Sequence, residues 1–252
     1  MGRVCKVLVG AVVLALTASW SGAAVHFGVN EPFDGGFSSL SRTVPRAYQV
    51  YLNDSFFSDL SGPTLVDGIS FRLPAIANTS YPAGDLTFGQ YDIAIGTPSA
   101  ASQAANTLAS TNFASNYTGA PTVLRSGGLF IPAGSFTDNN TGVGVAPAGQ
   151  LPAEFSFFIP FNAPILLTPG TDYVLEVRHG GFTTTSQSAE TVWNFDSFTV
   201  TGGAVVNTTS ASATDGGVFN VVNKFAFNVV PEPASLSLLG LAGVFMLRRR
   251  SA

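Results

Sequence analysis

Charge is scarce in this chain. Only 10% of its 252 residues are Asp, Glu, Lys or Arg, where soluble domains carry about a quarter. The net charge of −4 leaves no electrostatic footprint for nucleic acid. A single cysteine, Cys5, precedes the first apolar run. A lipid-modified cysteine would follow that run, so a lipoprotein leader is excluded. Beyond that run no thiol remains, which leaves the rest of the chain without disulfides, thiol catalysis or Cys-ligated zinc. The two histidines, His26 and His179, lack metal-type spacing. No Gly-x-Ser-x-Gly is present, and His179 stands at the end of an apolar strand pattern, so a Ser–His–Asp hydrolase has no support. Glycine (27) and proline (15) are frequent but aperiodic, which excludes collagen. Apolar groups are not lacking. The chain is 46% hydrophobic with 21 Phe, and such a chain has enough to bury to fold.

The middle of the chain predicts an all-β fold. Ile69, Phe71 and Leu73 alternate with polar neighbours. Tyr91, Ile93 and Ile95; Phe155, Phe157, Ile159 and Phe161; Tyr173, Leu175 and Val177; and Phe225, Phe227 and Val229 likewise recur at every second position. A period of two is the pattern of a half-buried strand. Further strands are expected over 47–52, 122–131, 191–200 and 217–222. Turn residues punctuate these runs, as in Ser61-Gly62-Pro63 and Thr168-Pro169-Gly170-Thr171-Asp172. Residues 98–113 are left as a short helix or a loop, and 134–152 as a long loop. No fixed repeat is present. Nine or ten strands without helical crossovers imply two antiparallel sheets, a sandwich of jelly-roll type. Residues 25–230 hold six basic groups against fourteen acids, a net −8. That favours solubility outside the cell and disfavours binding anionic polymers by charge.

Chemistry in this middle region is sparse, and no catalytic residue and no metal ligand is assigned. Glu154, Glu176 and Glu190 are the glutamates available for a paired-carboxylate site. Glu176 alternates with apolar residues and is expected on a solvated sheet face. Asp34, Asp138-Asn139-Asn140 and Asp215 are loop oxygens that leave a structural calcium possible, though none completes a motif. No other cofactor is expected. A sugar platform would use Tyr51, Tyr117 or Trp193. One of the adjacent Phe56 and Phe57 is expected to face solvent or cap an edge. Thr183-Thr184-Thr185 and Asn207-Thr208-Thr209 are local clusters without the regular array ice binding needs.

The ends carry more information. Arg3 and Lys6 precede an apolar run from Val7 to Ala18, followed by Ser21, Gly22, Ala23 and Ala24. This is the order of a secretory leader, with cleavage expected after Ala23 or Ala24. At the other end, Pro231-Glu232-Pro233 precedes an uncharged stretch, 234–247, and then Arg248-Arg249-Arg250. Fourteen residues make about 21 Å of helix, short of the usual ~30 Å hydrocarbon core. Insertion requires the bilayer to thin and the arginines to snorkel. Gly240 and Gly243 suit a transient anchor, and the arginines keep the tail cytoplasmic. The expected organisation is a leader over 1–24, a sandwich passenger over 25–229 and a sorting and anchor segment over 230–252.

That tail resembles the PEP-CTERM sorting signal of bacteria with two membranes, over Pro231 to Ala252. The resemblance implies Pro231, Glu232 and Pro233 as recognition residues and Arg248, Arg249 and Arg250 as the stop. All are substrate features. It implies an exosortase-like membrane protease that cuts near the Pro-Glu-Pro and releases or re-attaches the passenger. Signal peptidase and, transiently, the inner membrane are the other implied partners, with cell surface or extracellular matrix as destination. Hosts of such proteins make extracellular polysaccharide and biofilm. The same tail is sometimes labelled an ice-binding-protein C-terminal domain. Residues 48–73 and 169–177 are similar to sandwich passengers found before such tails. The expected function is a non-catalytic exported surface or matrix protein. The alternatives are a carbohydrate-binding module and an ice-binding protein.

Overall fold

In a computed structural model of the chain, the structure describes residues 24–27, 36–37, 42–57, 60–71, 80–82, 84–137, 157–185 and 195–230. In chain order the strands are β1 (Ala24–Phe27), β2 (Gly36–Phe37), β3 (Arg46–Leu52), β4 (Thr64–Phe71) and β5 (Ser80–Tyr81). Then come β6 (Leu86–Phe88), β7 (Tyr91–Gly96), β8 (Thr122–Arg125), β9 (Leu129–Ile131), β10 (Phe136–Thr137) and β11 (Phe157–Leu167). The last are β12 (Tyr173–His179), β13 (Phe182–Thr184), β14 (Phe195–Asn207), β15 (Gly217–Asn223) and β16 (Phe225–Val229). Among the described residues there is one α-helix, α1 (Ala100–Ala105). No described helix is long and apolar enough to cross a membrane. The expected all-β, antiparallel fold is what the chain adopts.

Two sheets carry the fold. The first has the order β1-β16-β4-β11, and the second runs β15-β14-β3-β12-β7-β8 with β2 beside β14. Every pairing is antiparallel, and neither sheet closes into a barrel. Two small sheets, β10-β5 and β13-β6-β9, flank them. The position of β11 follows from its sequence. Pro160 and Pro164 cannot donate to a ladder, so this strand belongs on an edge. It is one, and its register with β4 shifts between Pro160 and Ile165. The expected single run over 122–131 is two strands instead. Gly127, at φ 98, turns the chain between β8 and β9.

Between the sheets lies one apolar core. Phe71, Phe157, Phe225 and Phe227 of the first sheet meet Val50, Leu52, Ile93, Leu175 and Val206 of the second. Phe225 and Phe227 stand 5.7 Å apart edge to face, and Phe71 meets Phe225 at 6.1 Å. Each buried Phe contributes roughly 1.5–3 kcal/mol, so the sandwich holds without disulfides.

The second sheet differs from its expectation in one respect. Its outer face is also covered. All seven residues of β3 are buried, as is Glu176 of β12. The cover is the excursion 97–121 between β7 and β8. Ser99 caps α1 by accepting from the Ser102 N–H at 3.2 Å. Asn106 ends the helix at φ 50, the left-handed stop that Asn tolerates. Leu108, Phe113 and Tyr117 then pack on Ala47, Tyr51, Val174 and Val205. A sheet clad on both faces reads as continuous burial rather than alternation.

Candidate functional site

The expected sorting residues Pro231, Glu232, Pro233, Arg248, Arg249 and Arg250, and Ala23 of the expected leader junction, lie outside the described residues. The structure does describe how the chain arrives at them. β16 runs between β1 and β4, with Phe225 and Phe227 fully buried. Val229 pairs with Val66. The Val230 N–H then donates to the Leu65 carbonyl at 2.8 Å. Pro231 follows, and proline has no N–H with which to extend the ladder. The described part of the chain thus reaches the residue before the Pro-Glu-Pro. On the other side of β16, Ala24 pairs with Asn228. β1 therefore starts beside the place where β16 ends. Cleavage after Ala23 would keep β1 whole, and cleavage after Ala24 would shorten it by one residue.

The second feature is a polar cluster under the cover of the second sheet. Gln49 Nε2 donates to Glu176 Oε2 at 2.7 Å and to the Phe113 carbonyl at 3.0 Å. Asn116 Nδ2 donates to Gln49 Oε1 at 2.9 Å and to the Ser110 carbonyl at 2.8 Å. Arg178 Nε pairs with Glu176 Oε1. Its Nη1 donates to the carbonyls of Ala211 and Ala213 at 2.8 and 2.7 Å, and its guanidinium lies 4.8 Å over the Phe113 ring. The Tyr117 hydroxyl donates to Glu176 Oε2 at 3.4 Å. Burial, then the Glu176 charge, pushes the Tyr117 phenol well above its ordinary value. Glu176 is therefore not on a solvated face. It is buried because the excursion 97–121 covers it, and its oxygens are occupied by Gln49, Arg178 and Tyr117. No second carboxylate faces it among the described residues, and Glu154 and Glu190 lie outside them. The cluster can tie two loops to the sheet. It offers no acid–base pair.

A shallow polar pocket of about 350 Å³ opens where Asp54, Thr97, Gln103, Asn106, Gly170, Thr171 and Asp172 meet. The Asp172 carboxylate is already engaged, accepting from the Tyr51 hydroxyl and, at 2.7 Å, from the Asp54 N–H. Tyr51 and Tyr117 are 7% and 9% exposed. The expectation that either forms a sugar platform is corrected, because both rings lie under the cover. Trp193 lies outside the described residues.

His179 is wholly buried, stacked at 5.7 Å on Tyr91, and its Nδ1 accepts from the Gly181 N–H at 3.1 Å. His26 pairs with Ala226 within β1. Phe57 is buried and Phe56 half-buried against the core. Asn207 Oδ1 caps a turn by accepting from the Thr209 and Ser210 N–H groups, each at 3.0 Å. Thr183 and Thr184 belong to the short β13, with Thr185 just after it. Asp215 is exposed and bridges Asn112, and Asp34, Asp138, Asn139 and Asn140 lie outside the described residues. No group of three or more His, Cys, Asp or Glu that could hold a metal occurs among the described residues.

Sequence reasoning missed Gln49, Asn116 and Arg178 as a unit. The available signal was Gln49 inside the apolar run Ala47–Leu52, at an outward position next to Glu176 on the neighbouring strand. It also missed Leu65 as the partner of Val230, which no local pattern reveals.

No curated protein matches the chain. Residues 229–250 match the family model of the PEP-CTERM protein-sorting motif. That span begins at the last residue of β16, with its Pro-Glu-Pro following the Val230–Leu65 hydrogen bond. The chain thus carries a PEP-CTERM sorting motif, which implies export, cell-surface targeting and processing by an exosortase, a membrane protease.

Proposed function

We propose that the chain is a non-catalytic passenger delivered to the cell surface or extracellular matrix, where its sandwich serves as a structural unit. The observation that carries this reading is the matched motif, which begins at the last residue of an inner strand of the sandwich. Export begins at the leader, which signal peptidase removes after Ala23 or Ala24. The segment 234–247 then halts in the inner membrane with Arg248, Arg249 and Arg250 on the cytoplasmic side. This intermediate presents Pro231-Glu232-Pro233 at the membrane surface. The two prolines hold the backbone extended, and Glu232 gives the exosortase one charge to recognise. The occupied carboxylate of Glu176 and the buried rings of Tyr51 and Tyr117 favour a structural role over hydrolysis or sugar binding. In the native host, Glu232→Ala or removal of residues 248–250 should leave full-length protein in the inner-membrane fraction or misdirect it. Wild-type processing of both variants on a blot would sink the assignment.

A further inference from the structure

The end of the first sheet that carries the sorting motif also carries an apolar row. Leu65 of β4 and Leu166 of β11 are cross-strand partners, so their side chains share a face. They are 41% and 54% exposed, on the side away from the core that Val66 and Leu167 fill. Val230 continues the row on the other side of Leu65, held by its 2.8 Å ladder bond. Farther along the same face, Phe158 lies over Gly68, where a Cβ would collide with the ring.

Chain reach decides what this row meets. The apolar run starts at Ala234, four residues after Val230. Four residues span at most about 14 Å fully extended. Strands are about 4.8 Å apart, so Leu166 stands two strands, about 10 Å, from Val230. The headgroup layer on each side of a bilayer is about 5–7 Å deep. An inserted tail therefore keeps this end of the sandwich no more than about 9 Å above the headgroup layer. The N-terminal side agrees, because Ala24 pairs with Asn228. Both membrane-directed segments therefore join the domain at one end.

We propose that the row Val230–Leu65–Leu166 is a seat for the phospholipid bilayer. It rests in the headgroup layer for as long as the tail is anchored, and lifts off when the tail is cut. The proposal builds on the reading that segment 234–247 inserts. Contact is apolar and depends on the tether, since the passenger's net −8 opposes attraction to anionic lipid.

The test uses the full chain with Cys5→Ser and one new cysteine carrying an environment-sensitive fluorophore, reconstituted in phosphatidylcholine vesicles. Three positions are compared: Leu166→Cys in the row, Leu239→Cys in the tail, and Phe130→Cys. Phe130 is 60% exposed in β9, whose sheet joins the far end of β12 through β13. The expected result is a blue shift with brighter emission at 166 and 239, and aqueous emission at 130. A blue shift at 239 with aqueous emission at 166 overturns the seat and leaves tail insertion standing. Aqueous emission at both overturns both. A blue shift at 130 as well means indiscriminate adsorption, and also overturns the seat.

Discussion

The two sheets of this sandwich have similar alternating strands and different fates. The first sheet buries one face against the core and leaves Leu65 and Leu166 exposed on the other. The second buries both faces of its central strands, because residues 97–121 fold back over it. The difference is what lies above each sheet. A strand's period of two states that its faces differ. It does not state whether the second face meets water, lipid or more protein. In the second sheet the added layer turns a surface glutamate into a structural anchor.

The broadest way to break this comparison is alkaline pH, because buried phenols occur in both layers. Tyr48 and Tyr91 lie in the core between the sheets, and Tyr51 and Tyr117 lie under the cover. Burial holds all four phenols protonated well above their ordinary range. The unfolded chain loses these protons near pH 10 while the folded one keeps them. Stability is therefore complete below about pH 10 and falls as pH rises beyond it. Thermal melts across that range should show a falling midpoint, and Tyr91→Phe should flatten the fall.

The next effect is Phe227→Ala. It empties a site shared by both sheets and should cost about 3–5 kcal/mol in urea unfolding, with the whole domain melting together. Asn116→Ala acts where the cover meets the second sheet. It strips bonds from Gln49 and the Ser110 carbonyl and should cost about 1–3 kcal/mol. Hydrogen exchange should then rise over 97–121 while β16 stays protected. If β16 loosens equally, the cover and core are one cooperative unit and the contrast between the sheets fails. The smallest change is Ser99→Ala, which removes the cap of α1 at about 1 kcal/mol and should be visible only as local exchange in that helix.

Much of the fold was legible in the sequence. Strand runs such as Tyr91–Gly96 and Phe225–Val229 announce themselves by alternation and turn residues, because both signals are local. Edge placement of β11 could be read from Pro160 and Pro164. The covered face could not. Gln49 and Glu176 are 127 residues apart, and neither carries a mark of the layer that buries it. Tyr51 and Tyr117 were misread for the same reason, since an aromatic on an outward position looks alike under solvent and under a loop. His179 ended its strand as expected, yet packing against Tyr91 buried it.

The sorting motif is a different case. Its residues are contiguous in the chain, so Pro231, Glu232, Pro233 and the arginines are recognisable by order and composition alone. The sequence by itself therefore determined the address, the strand content and the dependence on a Phe-rich core. Only the tertiary structure decided that Val230 bonds to Leu65, that Ala24 joins at the same end, and that Leu65 and Leu166 stand exposed beside them. These are relations between distant segments, set by which strands pair and in what register, and no local pattern encodes them.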